Sequence, residues 1–194
     1  GRLNVIGMGS QYSRGLKKGV VVNIEETVHT ISRVVQEVEL MADCKVKDVY
    51  TGIAGSHIKS FNSHGMVAIK DREVAQSDVD RVVETARAIP IPTDQQILHV
   101  LNQEFVIDGQ EDVREPLGMS GVRLEVKVHI VTGAVSAAQN IMKCVRRCGL
   151  EVNDLILQPL ASAIAVLSED EKDLGVCLVD IGGGTSDIAV FTQG

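Results

Sequence analysis

Asp180-Ile-Gly-Gly-Gly-Thr185 is the stretch whose residue types and order could do chemistry. Apolar runs flank it, Leu178-Val179 before and Ile188-Ala-Val190 after, so two strands joined by a glycine bend are expected. Glycines let a backbone turn sharply and approach a ligand closely. Consecutive N–H groups at such a tip form an anion-binding concavity suited to phosphates. Asp180, at the strand end, carries the carboxylate that a phosphate-bound Mg²⁺ takes through its water shell, and Thr185 adds a hydroxyl. A plain glycine hairpin with a capping Asp is the alternative. The acid before the glycines, the Thr directly after them and the strands on both sides favour phosphate binding. The stretch is not a Walker A loop, because no Gly-Lys-Ser/Thr follows. It is not a dinucleotide fingerprint either, because a strand rather than a helix comes next.

A second constellation lies on Arg123–Val131, where Leu124, Val126, Val128 and Ile130 alternate with Arg123, Glu125, Lys127 and His129. Strict alternation predicts a strand with one buried and one wet face. The wet face offers charges on which a partner or another subunit can dock. Other candidates read blandly. Cys144 and Cys148, four apart on a predicted helix, are expected to be buried structural thiols, since no His or second Cys pair stands near them. Cys44 and Cys177 are expected as small core residues. The His residues at 29, 57, 64, 99 and 129 share no metal or triad spacing. Arg14, Lys17 and Lys18 form a short basic turn, read as solvated, and Glu169–Asp173 reads as a charged connector.

The elements that position these residues follow from periodicity. Leu3–Gly9 is β-like. Ile24–Met41 carries Ile24, Val28, Ile31, Val34, Val35, Val38 and Met41 at helical spacing, with Asn23 as N-cap and Glu26 completing a capping box. Strands are expected at Val46–Ala54, Phe61–Ile69 (with a turn at Asn62–Gly65), Ile97–Ile107, Arg123–Val131, Val152–Leu157 and Gly175–Ile181, the last apolar enough to be fully buried. Helices are expected after Ser77, after Ser136 (capped with Gln139) and at Leu160–Leu167 behind Pro159, while Asp108–Gly121 reads as a polar loop. The sum is an α/β layer interrupted by a small α+β strand-helix-strand-strand unit at about 55–131.

Composition narrows the classes. The chain has 194 residues, 44% of them apolar, enough to bury a core without staples. No apolar run approaches the roughly 18 residues of a helical membrane span. Four scattered cysteines fit a reducing cytoplasm, and the first residues do not read as a secretory signal. A net charge of −7 and 3% aromatics argue against nucleic acid as partner, which calls for a basic footprint or a stacking platform.

The Asp180–Thr185 loop resembles the second phosphate-binding loop of the actin-like ATPase superfamily. Ser13–Val20, Glu39–Cys44, Ile53–Ile58, Gly118–Arg123 and Arg147–Leu150, in this order, resemble the FtsA family of bacterial cell-division proteins over essentially all of the chain. The resemblance implies an actin-like (ribonuclease H-like) lobe 1A at 1–54 and 132–172, interrupted by an inserted domain 1C at 55–131, with 173–194 as the first hairpin of a second lobe 2A. It implies binding of ATP with Mg²⁺ at Asp180, Gly182, Gly183, Gly184 and Thr185, the metal held by Asp180 through water. Gln158 is the residue it suggests for positioning an attacking water. It implies actin-like polymerisation, tethering of FtsZ to the inner membrane, and self-association and recruitment of FtsN and other divisome proteins through 1C. The implied location is cytoplasmic, peripheral on the inner membrane at the division site. Both ends are expected to lie inside a larger fold, with the first phosphate loop before Gly1 and the FtsZ-binding part and membrane-holding helix beyond Gly194. The chain alone is therefore expected to bind ATP weakly and not to hydrolyse it. A small-molecule kinase of the same superfamily and a PilM-like pilus-assembly relative are the competing readings.

Overall fold

The computed structural model describes residues 4–192, which form two compact units. One comprises the chain up to His57 together with Ala134 onward; the other is Ile58–Gly133.

The first unit opens with an extended segment, 4–13, that joins no ladder, contrary to the β-like reading of Leu3–Gly9 (Leu3 itself lies outside the described residues). Alternating apolar residues make a strand only where a neighbour supplies hydrogen bonds. Here the segment lies along a helix instead: the Ser10 N–H donates to Glu37 at 3.2 Å, and a Cβ on Gly9 would sit 2.7 Å from the Val34 carbonyl oxygen. A tight hairpin follows, β1 (Leu16–Lys17) and β2 (Val20–Val21). Helix α1 (Ile24–Ala42) starts where Asn23 accepts the Glu26 N–H at 3.2 Å and ends at Asp43, in the left-handed region at φ 49°.

Strand β3 (Asp48–Ile53) and strand β8 (Glu151–Leu157) pair in parallel, joined through α3 (Val135–Arg147). The second unit is spliced into this crossover between β3 and α3. Helix α3 packs on α1 and β8, and Arg147 holds Glu25 of α1 in a two-pronged ion pair at 2.6 and 3.1 Å. It begins at Val135 with Ala134 as N-cap, so the expected Ser136–Gln139 box is not formed; strand β7 runs directly into the helix. Cys144 is buried and Cys148 half-buried, its thiol donating to the Val28 carbonyl at 3.4 Å. Burial pushes the Cys144 thiol up from its ordinary pKa. Cys44 and Cys177 are exposed, not core residues. Cys44 lies beyond the end of α1, and Cys177 shares the exposed face of its strand with Val179 and Ile181.

Helix α4 (Gln158–Val166) has Pro159 in its first turn. The charged connector proves to be a short helix, α5 (Glu169–Leu174), because Ser168 and Glu171 form a reciprocal capping box. The antiparallel hairpin β9 (Val176–Ile181) and β10 (Ser186–Phe191) completes the unit. β9 is not the fully buried strand that its apolar run suggests: Val179 is 51% and Ile181 77% exposed. Among the described residues β9 pairs with β10 alone, and α4 touches only one face of the pair.

The second unit is a four-stranded sheet in the order β4-β7-β5-β6, with α2 (Gln76–Arg87) packed against it. Its strands are β4 (Lys59–Ala68), β5 (Gln95–Ile107), β6 (Gln110–Val113) and β7 (Arg123–Ala134). β6 lies inside the stretch read as a loop. β4 has no turn at Asn62–Gly65; it pairs with β7 without interruption from Lys59 to Ala68. Gly65 serves close packing, since a Cβ there would lie 2.2 Å from the Val82 carbonyl oxygen of α2. The core is Leu124, Val126, Val128 and Ile130 of β7 against Val82 and Ala86 of α2, with Phe105, Ile107 and Val113. Burial of this kind contributes roughly 25 cal/mol per Å² of apolar surface. Helix α2 is capped not by Ser77 but by Asp78, a wholly buried carboxylate that accepts the Ala75 N–H at 3.1 Å and pairs with Arg81.

Candidate functional site

The glycine bend closes when the Gly182 N–H donates to the Thr185 carbonyl at 2.9 Å. One of the amides expected to face a ligand is therefore used by the turn itself. No backbone bond outside the ladders engages the Gly183 or Gly184 N–H among the described residues. None of the three glycines takes a positive φ, so none is required by a left-handed backbone. A Cβ on Gly183 would meet nothing within 4 Å. Neither local conformation nor the chain's own packing demands glycine at 183, and the space above it is open. The bend is exposed, so a phosphate could approach the Gly183 and Gly184 amides without displacing any side chain.

Asp180 ends β9 directly before the bend, and Ser162 of α4 donates a 2.7 Å hydrogen bond to its Oδ2. This fixes the carboxylate and leaves its second oxygen for other company. Gln158 lies one helical turn before Ser162, so the two share a face of α4. The Gln158 side chain packs over Gly52 of β3, where a Cβ would lie 3.0 Å from its Cγ and 3.1 Å from its Nε2. It lines a cavity of about 160 Å³ with Gly19, Thr51 and Cys144. One face of one helix thus presents the expected water-positioning residue and the anchor of the expected metal carboxylate. The site residues read from sequence, Asp180, Gly182, Gly183, Gly184, Thr185 and Gln158, all fall in the first unit.

Two residues of this region escape sequence reasoning. Ser162 sits in Ala161-Ser-Ala163, which reads only as small residues for close packing; its spacing of four from Gln158 is the signal that was available. Lys18 sits in a turn that reads as solvated, yet a Cβ on Gly184 would lie 3.5 Å from its Cα.

In the second unit the structure places Arg123, Glu125, Lys127 and His129 on one sheet face, opposite the core residues of β7. Their charges are tied to one another. Arg123 Nε meets Glu125 at 2.8 Å, and the other Glu125 oxygen meets His64 Nε2 at 2.8 Å. Lys127 Nζ meets Glu104 at 2.5 Å and Glu111 at 3.4 Å, and His129 Nδ1 meets Asn62 at 2.7 Å. The hydrogen bond from Lys127 holds the Glu104 carboxyl below its usual range, and Glu104 in turn raises the Lys127 ammonium. The face is an ordered lattice of both signs rather than a set of free charges. No group of three or more His, Cys, Asp or Glu able to hold a metal occurs among the described residues. No described helix is long and apolar enough to cross a membrane.

Residues 55–132 match the family described as the SHS2 domain inserted in FTSA. Over all 194 residues the chain is 66% identical to the cell division protein FtsA of Pseudomonas aeruginosa and covers 46% of it. It is 50% identical to that of Escherichia coli strain K12, again covering 46%, and 42% identical to that of Bacillus subtilis strain 168, covering 44%. The chain therefore spans about half the length of the curated relatives it matches. Among solved structures, a chain of the PilM-PilN type IV pilus biogenesis complex superposes with a TM-score of 0.56 at 18% identity. The superposition covers 91% of this chain and 47% of that one, a likeness of fold alone.

Proposed function

We infer that the chain belongs to the FtsA family of cell division proteins, with an actin-like α/β lobe interrupted by an α+β domain, and propose on that premise that it binds ATP at the β9–β10 bend and docks proteins on the charged sheet face. The observation that supports the nucleotide reading is the exposed, unobstructed Gly183–Gly184 backbone beside an Asp180 held by Ser162. Gly183 and Gly184 offer N–H donors to phosphate oxygens, and Thr185 offers a hydroxyl. Asp180 orients the water shell of Mg²⁺, which when bound neutralises phosphate charge. Gln158 positions a water at the base of α4.

In the whole protein this nucleotide site gates actin-like polymerisation. The inserted domain serves self-association and recruits FtsN and other division proteins. The assembly tethers FtsZ to the cytoplasmic face of the inner membrane. Support for the docking role is the lattice around Arg123 and Lys127, whose alternating signs favour a partner of complementary pattern over non-specific association.

The test is equilibrium titration of the full-length protein with Mg-ATP, using Gly183→Val and Asp180→Asn. A Cβ at 183 meets nothing in the chain, so the first variant should fold normally and lose binding by tenfold or more. Wild-type affinity in that variant would overturn the site.

A further inference from the structure

The β1–β2 hairpin turns on Lys18 at φ 51° and Gly19 at φ 77°, both left-handed, as in a type I′ turn. Lysine seldom adopts that conformation, and the turn is held in it from two sides. On one side is the end of β3: a Cβ on Gly19 would lie 2.7 Å from the Ala54 carbonyl oxygen, and one on Gly55 would lie 3.0 Å from the Lys18 carbonyl oxygen. On the other side is the glycine bend: a Cβ on Gly184 would lie 3.5 Å from both the N and the Cα of Lys18. Glycine at 19 and 55 thus lets the turn seat, and the backbone of residue 18 lies against the backbone of residue 184. The Lys18 side chain is exposed and has no ion-pair or hydrogen-bond partner among the described residues.

A second observation comes from His57. The Ala134 N–H donates to its Nδ1 at 3.3 Å, which puts the ring proton on Nε2. That Nε2 is buried and has no partner among the described residues. It lies 3.5 Å from where a Cβ on Gly55 would stand, beside the Lys18 carbonyl. A lysine whose backbone forms the seat and an unspent buried donor thus stand together, next to a bend where the Gly183 and Gly184 N–H groups make no backbone bond outside the ladders among the described residues.

We propose that Lys18 is a phosphate-binding residue, its ammonium contacting the terminal phosphates of a nucleotide held at Gly183–Gly184. The inference rests on the nucleotide reading above and adds to it a residue from a different part of the chain. The four-carbon stem of lysine gives a flexible, point-like cation, which suits the clustered charge of a terminal phosphate more than a base or a sugar.

The experiment titrates the full-length protein with Mg-ATP, Mg-ADP and adenosine, as wild type, Lys18→Gly and Lys18→Arg. Glycine accepts the left-handed backbone, so Lys18→Gly removes the ammonium without straining the turn. Melting without nucleotide should be unchanged in both variants. The expected result is a tenfold or greater loss of ATP affinity in Lys18→Gly, a smaller loss for ADP, none for adenosine, and substantial recovery in Lys18→Arg. Equal ATP affinity in wild type and Lys18→Gly overturns the role of Lys18 and leaves the nucleotide reading standing. Failure of the wild type to bind ATP removes both. Equal losses for ATP and adenosine also overturn it, since they mark a structural effect.

Discussion

Ser162 Oγ donates to Asp180 Oδ2 at 2.7 Å, so a residue of α4 sets the orientation of the carboxylate that ends β9. Hydrogen bonds to a charged acceptor are stronger than neutral ones, and losing one frees the carboxylate to rotate. Ser162→Ala should therefore weaken Mg-dependent ATP binding by roughly tenfold, in line with loss of one such bond. Binding measured with EDTA present should change little. Comparison of titrations with and without Mg²⁺ checks this; an equal loss in both would mean that Ser162 acts on the lobe as a whole.

Reversal of charge on the sheet face should separate two lysine- and arginine-based roles. Arg123 is half exposed and pairs with Glu125, so Arg123→Glu should reduce self-association or partner binding with little change in melting. Lys127 stands between Glu104 and Glu111, and Lys127→Glu would bring three carboxylates together. That variant should lose both association and stability. Sedimentation and thermal melting on the same samples distinguish the two patterns, and full association by Arg123→Glu would remove the docking role from this face.

Asp78 gives the inserted unit a pH dependence with a definite sign. The Ala75 N–H, with Arg81 beside it, holds its carboxyl below the ordinary value of 3.8. The unfolded chain therefore takes up a proton first as pH falls. The stabilisation is complete well above that ordinary value of 3.8 and is lost as pH drops through the lower folded one. Urea midpoints should fall on acidification below about pH 4 in the wild type. In Asp78→Asn the midpoint should start lower at neutral pH and its acid slope should be shallower. Glu104, also held low, supplies part of the remaining slope. An unaltered acid limb in the variant would contradict the assignment.

Gly65→Ala tests the contact between β4 and α2. A methyl group 2.2 Å from the Val82 carbonyl oxygen cannot be accommodated without moving the helix. Overpacking of this kind costs about 1–3 kcal/mol, sometimes more. Denaturant unfolding should register that loss, whereas a glycine needed only for a turn would tolerate alanine here, because its φ is not left-handed.

The same glycine illustrates where sequence reading succeeds and fails. Asn62-Ser-His-Gly65 has turn composition, but composition does not reveal that a helix passes over the fourth residue. Strand β7 and helices α1 and α3 were legible because their periodicity is itself the imprint of a buried face. The extended segment before Ser13 and strand β9 misled for the opposite reason. Apolar content reports a capacity for burial, while ladder partners and covering layers are long-range facts. Ser168–Asp173 concealed a capping box under a run of charge. In the candidate site, the Asp180–Thr185 bend was legible as a motif, and Gln158 through resemblance. Ser162 and Lys18 were not, because each earns its place through a neighbour distant in the chain.

The contrast between outward and sheltered thiols gives the protein a built-in clock. Cys44 and Cys177 stand open to reagent, whereas Cys144 is enclosed and burial pushes its thiol pKa up. Maleimide dyes should mark the first two in the fast phase. Modification of Cys144 must wait for the packing of α3 against α1 to breathe. Slow modification at Cys144, resolved from that of half-buried Cys148 by peptide mapping, therefore reads out how often that packing opens under native conditions, with no mutation and no denaturant.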